Sequence, residues 1–206
     1  MRNRRGFTLI EMVVVLAVVA ILAAILTPTI AKNLNDAKVA RAANEAQVIG
    51  AAIGSFFKDV GRWPTSNGTV NSPDIIQTLY SANGTVPALD PGAVTDEEFW
   101  LSTGGYAATL VDTFENQLIL NTPEGGAVPY TTLSTSELRW RGPYITEIKA
   151  DPWGSQYACN IWYTYNTTAN FVGIWSAGPD RAANTDSSQL ATAMTLGGDD
   201  ILFRIQ

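Results

Sequence analysis

The sequence predicts an α+β fold: one long N-terminal helix packed on a C-terminal antiparallel β-sheet of three to four strands. Three observations carry this. Residues 7–31 are apolar and almost uncharged. Residues 32–60 continue them with few helix breakers and with apolar side chains at steps of three and four. From Gly142 onward the pattern changes to short runs of β-branched and aromatic residues parted by turns.

Composition narrows the function classes. Of 206 residues, 46% are hydrophobic and 16% charged, the latter below the usual share of about 25%. That argues against a disordered chain. A net charge of −6 argues against a polyanion binder, which needs clustered Lys and Arg. The sequence has no histidine, which removes His-based triads and His zinc sites. With Cys159 as its one cysteine, the chain has no intrachain disulfide. Cys159 reads as a buried apolar residue in a strand, and the tryptophans Trp63, Trp153 and Trp175 as core.

The N-terminal segment is the sharpest signal. Three of the 13 basic side chains, Arg2, Arg4 and Arg5, precede it, so residues 7–206 carry 10 basic against 19 acidic groups. From Phe7 to Ala31 there is one charge, Glu11. As a helix these residues reach about 37 Å, enough for a hydrocarbon core of about 30 Å. The arginine flank predicts a cytoplasmic N-terminal end. Two readings fit so far: a spanning helix, or a secretory signal cut near Thr29-Ile30-Ala31. Glu11 favours a third. An acid there costs roughly 2.5–3.5 kcal/mol on insertion, and a mere anchor does not need it.

Arg5-Gly6-Phe7-Thr8-Leu9-Ile10-Glu11 before an apolar helix resembles the class III leader of type IV pilins and type II secretion pseudopilins. The resemblance implies cleavage between Gly6 and Phe7 by a prepilin peptidase and N-methylation of Phe7. It also implies that the apolar segment is retained and that Glu11 acts in assembly, meeting the amino terminus of a neighbouring subunit. It divides the chain into a leader at 1–6, a transmembrane and filament-core helix at 7–31 and the amphipathic half of that helix at 32–64. A variable insertion at 65–141 and a sheet region at 142–206 follow.

The amphipathic half places Val39, Ala42, Ala46, Ile49, Ile53, Phe56 and Val60 on one face, with Lys32, Asp36, Arg41 and Glu45 opposite. Pro28 removes one backbone donor within the predicted helix. Gly50 and Gly54 are places where a sheet approaches closely, or merely tolerated glycines. Gly61-Arg62-Trp63-Pro64 ends the helix near Val60. Between 65 and 94 the composition is that of a loop, with one short helix or strand near Ile75–Tyr80. Thr95-Asp96-Glu97-Glu98 reads as a capping box before a helix reaching about Leu101. Tyr106–Asn121 reads as a second amphipathic helix. Strands are expected at Tyr144–Ile148, Gln156–Tyr165, Phe171–Trp175 and Ile201–Ile205, with a hairpin turn at Asn166–Asn170.

Asp180, Asp186, Asp199 and Asp200 gather among Gly and Pro near the C-terminus. Hard oxygen donors suit Ca²⁺, although the spacing is not that of an EF-hand. Solvated loop acids are the plain alternative. Gly142-Pro143-Tyr144-Ile145, Asp151-Pro152-Trp153-Gly154, Ser176-Ala177-Gly178-Pro179-Asp180 and Asp199-Asp200-Ile201 resemble, in order, the major pseudopilins of type II secretion. That resemblance implies one structural Ca²⁺ held by Asp180, Asp199, Asp200 and the carbonyl of Ala177, and no enzymatic activity. It implies a homopolymeric filament, with prepilin peptidase, minor pseudopilins and an inner-membrane assembly platform as partners. The globular part is then periplasmic. A pilin of a surface pilus is the near alternative. A membrane-anchored, calcium-dependent carbohydrate-binding or hydrolytic domain is the alternative from another class.

Overall fold

A computed structural model describes residues 7–66, 76–89, 111–123, 129–130, 138–164, 171–185 and 189–205. They form one helix, α1 (Leu9–Val60), and seven short strands: β1 (Thr78–Tyr80), β2 (Ala88–Leu89), β3 (Val111–Thr113), β4 (Ala158–Cys159), β5 (Gly173–Ser176), β6 (Ala182–Ala183) and β7 (Ile201–Arg204). The chain falls into two compact units, residues 1–38 and 39–206.

The first unit holds the N-terminal part of α1, assigned as helix straight through Pro28. Its apolar side chains are exposed: Leu9 is 83% accessible and Leu16 67%. The helix is long and apolar enough to cross a membrane.

In the second unit, the remainder of α1 buries the face that its periodicity predicts. Ala42, Ala46, Ile49, Ile53, Phe56 and Val60 are buried, whereas Val39 lies at the margin and stays exposed. Phe56 is fully buried and meets the edges of Tyr130 and Tyr144, with ring centroids 4.8 and 5.5 Å away. Truncating a buried aromatic of this kind costs about 3–5 kcal/mol. The helix stops as expected: Gly61 adopts φ 75° and its N–H returns to the Phe57 carbonyl at 2.8 Å.

The sheet has the order β3-β1-β4-β5-β7. Neighbours in the run β1-β4-β5-β7 pair antiparallel, with β1 in the place expected of a strand at Tyr144–Ile148, and β3 adds a parallel edge to β1, so the sheet is mixed. β2 and β6 form a separate parallel pair. Thr78–Tyr80 resolves the helix-or-strand ambiguity there in favour of β1. Cys159 is fully buried in β4, and burial pushes its thiol far up.

Three expected elements differ. Within Tyr106–Asn121, the described part is β3 followed by a π-helical turn at Asn116–Leu120. β1 takes residues 111–113 as a strand partner, and tertiary pairing overrides the local helical pattern. Phe114 and Leu118, four apart, still reach the core. Tyr144–Ile148 forms no strand; its apolar residues do not alternate, and Ile148 and Tyr144 pack inward from irregular backbone. In Gln156–Tyr165 the strand lasts two residues before a 3₁₀ turn at Ile161–Thr164. There the Asn160 amide replaces the ladder, donating to Phe171 O and accepting from Gly173 N, both at 3.0 Å. The readings at 95–101 and 166–170 lie outside the described residues.

Candidate functional sites at the helix start and the C-terminal loop

At the helix start, Thr8 and Glu11 form a capping box. Glu11 Oε2 accepts from Thr8 N at 2.8 Å and Thr8 Oγ1 at 2.7 Å, and Glu11 N donates to Thr8 Oγ1 at 3.4 Å. Each group satisfies donors that the first helical turn leaves orphaned. Glu11 also sits where the helix dipole favours negative charge. Its carboxylate therefore has local partners within its own chain, a role the sequence reading missed. The signal was legible, as Thr8-x-x-Glu11 ahead of an apolar run. Phe7 beside it is exposed. Gly6 lies outside the described residues.

The C-terminal loop joins β5 to β7. Ala177 is fully buried directly after β5. Gly178 follows at φ 64°, and a Cβ there would lie 2.2 Å from the Asp199 carbonyl oxygen. Only glycine allows the two ends of the loop to meet so closely. That approach brings Asp180 and Asp199 together: Asp180 N donates to Asp199 Oδ2 at 3.2 Å. Asp180 also accepts from Ala182 N at 2.8 Å and from Asn184 Nδ2 at 3.0 Å. Asp200 Oδ2 accepts from Asn184 N and Thr185 N at 2.9 and 2.6 Å. Its Oδ1 is buried with no hydrogen-bond partner. Asp186 lies outside the described residues.

Burial pushes the Asp200 carboxyl up to about 6. Asp199 is also raised, first by desolvation and then by the charge of Asp180. Both shifts mark anionic oxygens short of positive charge. Among the described residues no three acidic or cysteine side chains converge into a ready metal-binding group. The loop does offer hard oxygen donors alone, and the orphaned Asp200 Oδ1 is an atom that a hard cation would satisfy.

Two further polar clusters hold the scaffold. Asp151 is buried; its Oδ1 accepts from Trp153 N and Ser155 N at 3.0 and 2.7 Å, and its Oδ2 from Ser176 Oγ at 2.6 Å. The Asp151-Pro152-Trp153-Gly154 motif is thus a turn pinned to β5. Glu45 on α1 accepts from Tyr157 Oη at 2.7 Å and from Arg41 Nε at 2.8 Å. The same burial and the Glu45 charge raise the Tyr157 hydroxyl well above its ordinary value.

Comparison with known proteins agrees at both ends of the chain. Residues 1–27 match the prokaryotic N-terminal methylation motif, and residues 122–193 match type II secretion system protein G. A fimbrial protein, EcpC, of Eikenella corrodens is 34% identical over 40% of this chain and 58% of its own length. A fimbrial protein of Neisseria meningitidis is 35% identical over 41% of this chain and 54% of its own length. The chain thus spans little more than half the length of these curated relatives. The type II secretion system core protein G of Klebsiella pneumoniae is 25% identical over 87% of this chain and 88% of its own. No solved structure matches. The chain is thus similar to type IV pilin-like proteins in two places: a methylation motif over the start of its apolar helix, and a protein G match over the region that holds β4, β5 and β6.

Proposed function

We propose that this chain is the major pseudopilin of a type II secretion system, a subunit whose polymerisation drives protein export. The protein G match over residues 122–193 carries this reading, because it lies outside the N-terminal methylation motif and names a secretion system. In this reading a prepilin peptidase cuts between Gly6 and Phe7, and Phe7 is then methylated. The apolar helix first holds the subunit in the bacterial inner membrane, with its N-terminus cytoplasmic and its globular part periplasmic. It later becomes the filament core. Glu11 exchanges its local partners for the amino terminus of a neighbouring copy. Minor pseudopilins and an inner-membrane assembly platform are the further partners.

We also propose one structural Ca²⁺ in the C-terminal loop. Asp180, Asp199, Asp200 and the Ala177 carbonyl would hold it. The ion would supply positive charge to carboxylates that the fold brings together, and the unpartnered Asp200 Oδ1 supports this.

A second reading, a pilin of a surface pilus, is favoured by the fimbrial relatives, whose identity to this chain is higher over a shorter span. Deleting the gene in its native host separates the two. The first predicts exported proteins trapped in the periplasm with surface pili intact. Normal export with lost pili selects the second. An intact mass of the mature protein tests processing: loss of residues 1–6 and one added methyl group are expected.

A further inference from the structure

We propose that Arg181, seated on Thr85, is a docking point for an acidic side chain of a second copy of this chain; this rests on the filament reading above. Arg181 has φ 61°, a left-handed conformation that glycine adopts freely and that a longer side chain resists. Its backbone is fixed on both sides: its N–H donates to Gly178 O at 3.3 Å, and its carbonyl accepts from Ala88 N at 3.0 Å. The position thus keeps an arginine against backbone preference. Such outliers collect where a side chain has work outside the local fold.

The guanidinium is held in place. Arg181 Nη2 donates to Thr85 Oγ1 at 2.8 Å, and Thr85 Oγ1 is itself within 3.2 Å of the Gly154 carbonyl, to which it donates. A cavity of about 440 Å³ opens beside it, lined by Thr85, Val86, Ala88, Ser155, Asp180 and Arg181. Among the described residues no carboxylate forms an ion pair with Arg181. The neighbouring Asp180 directs its oxygens to Ala182 N and Asn184 Nδ2 instead. One edge of the guanidinium is therefore anchored, and the rest of a planar fork suited to a carboxylate is left for a partner.

The charge balance points to a second copy as that partner. Residues 39–206 carry 8 basic against 17 acidic side chains. Copies polymerised side by side bring acidic surfaces together, which repel unless carboxylates meet cations. Cations are scarce here, and Arg41 and Lys149 already pair within the chain, with Glu45 and Glu147. Arg181 is preorganised and its side chain is exposed.

The test uses the full chain, comparing filament yield by sedimentation and electron microscopy with thermal melting of the unassembled protein in detergent. Arg181→Gly relieves the backbone and removes the fork. It is expected to melt about 2–4 °C higher and to give about fivefold fewer filaments. The wild-type yield should fall with added salt more steeply than that of the variant. Wild-type yield and salt dependence in Arg181→Gly would overturn the inference while leaving the filament reading intact. If the wild-type chain forms no filaments, both fall. If Arg181→Gly melts lower, Arg181→Gln decides. Lost assembly with unchanged melting supports the docking point, and wild-type assembly overturns it.

Discussion

Gly50 and Gly54 lie one turn apart on α1 and answer to different constraints. A Cβ on Gly50 would come within 2.5 Å of the Phe203 ring of β7, whereas a Cβ on Gly54 meets nothing within 4 Å. Gly54→Ala should therefore stabilise the chain by about 0.5–1 kcal/mol, the ordinary gain in helix propensity. Gly50→Ala should lose more than it gains, since overpacking costs about 1–3 kcal/mol. Urea unfolding of both variants checks the opposite signs. Sequence alone left both glycines open to either reading, because the partner ring lies 153 positions further on. Glu115 gives a second residue-scale prediction. Its Oε2 accepts from Ala82 N at 2.9 Å, while Oε1 is buried with no partner. Burial raises its carboxyl above the ordinary value. The folded state then holds the proton more tightly than the unfolded state. Stability is highest below the unfolded value and is lost as pH rises through the raised one. Glu115→Gln should flatten that slope and melt higher than wild type near neutral pH. A lower melting temperature there would show that the charge itself is needed.

At the scale of elements, the legible parts were those governed by local chemistry. Gly61 and Pro64 marked the end of α1, and steps of three and four marked its buried face. Elements set by distant partners were not legible. β3 arises from a run with helical spacing because β1 offers an edge to pair with, and Asn160 ends β4 by bonding Phe171 and Gly173. The loop between β5 and β7 shows the same division. Its acids were conspicuous in sequence, and the fold brings Asp180 to Asp199. The burial of Asp200 against Asn184 and Thr185 was not readable from spacing. This loop carries the calcium prediction. An ion that binds only the folded form stabilises it by about 2.7 kcal/mol at a hundredfold excess over Kd. The full chain in detergent should melt higher in millimolar CaCl₂ than in EGTA, and Asp199→Ala should remove the difference. Equal melting of the wild-type chain in both buffers would sink the cation and leave the filament reading untouched, since that does not depend on these acids.

At the scale of the whole molecule, the question is why so apolar a helix keeps an acid near its start. The N-terminal part of α1 has its apolar side chains exposed and is long and apolar enough to cross a membrane. In lipid, a carboxylate at Glu11 is costly, and the capping box with Thr8 offsets part of that cost before any neighbour arrives. The structure shows this side chain closing the first turn of its own helix, and the filament proposal adds to it a pairing with a cation from another subunit. Substitution by alanine removes both, so Glu11→Ala is expected to insert as well as wild type or better and yet assemble poorly, without saying which loss matters. Glu11→Gln separates them. Glutamine can still accept from Thr8 N and Thr8 Oγ1, as Gln does in a capping box, but it carries no charge. If inter-subunit pairing is the need, Glu11→Gln should keep helix content in detergent by circular dichroism and fail to form filaments, as Glu11→Ala does. If capping is the need, Glu11→Gln should assemble like wild type. Thr8→Val, which removes the side-chain half of the box and leaves the charge, should then reproduce the alanine defect.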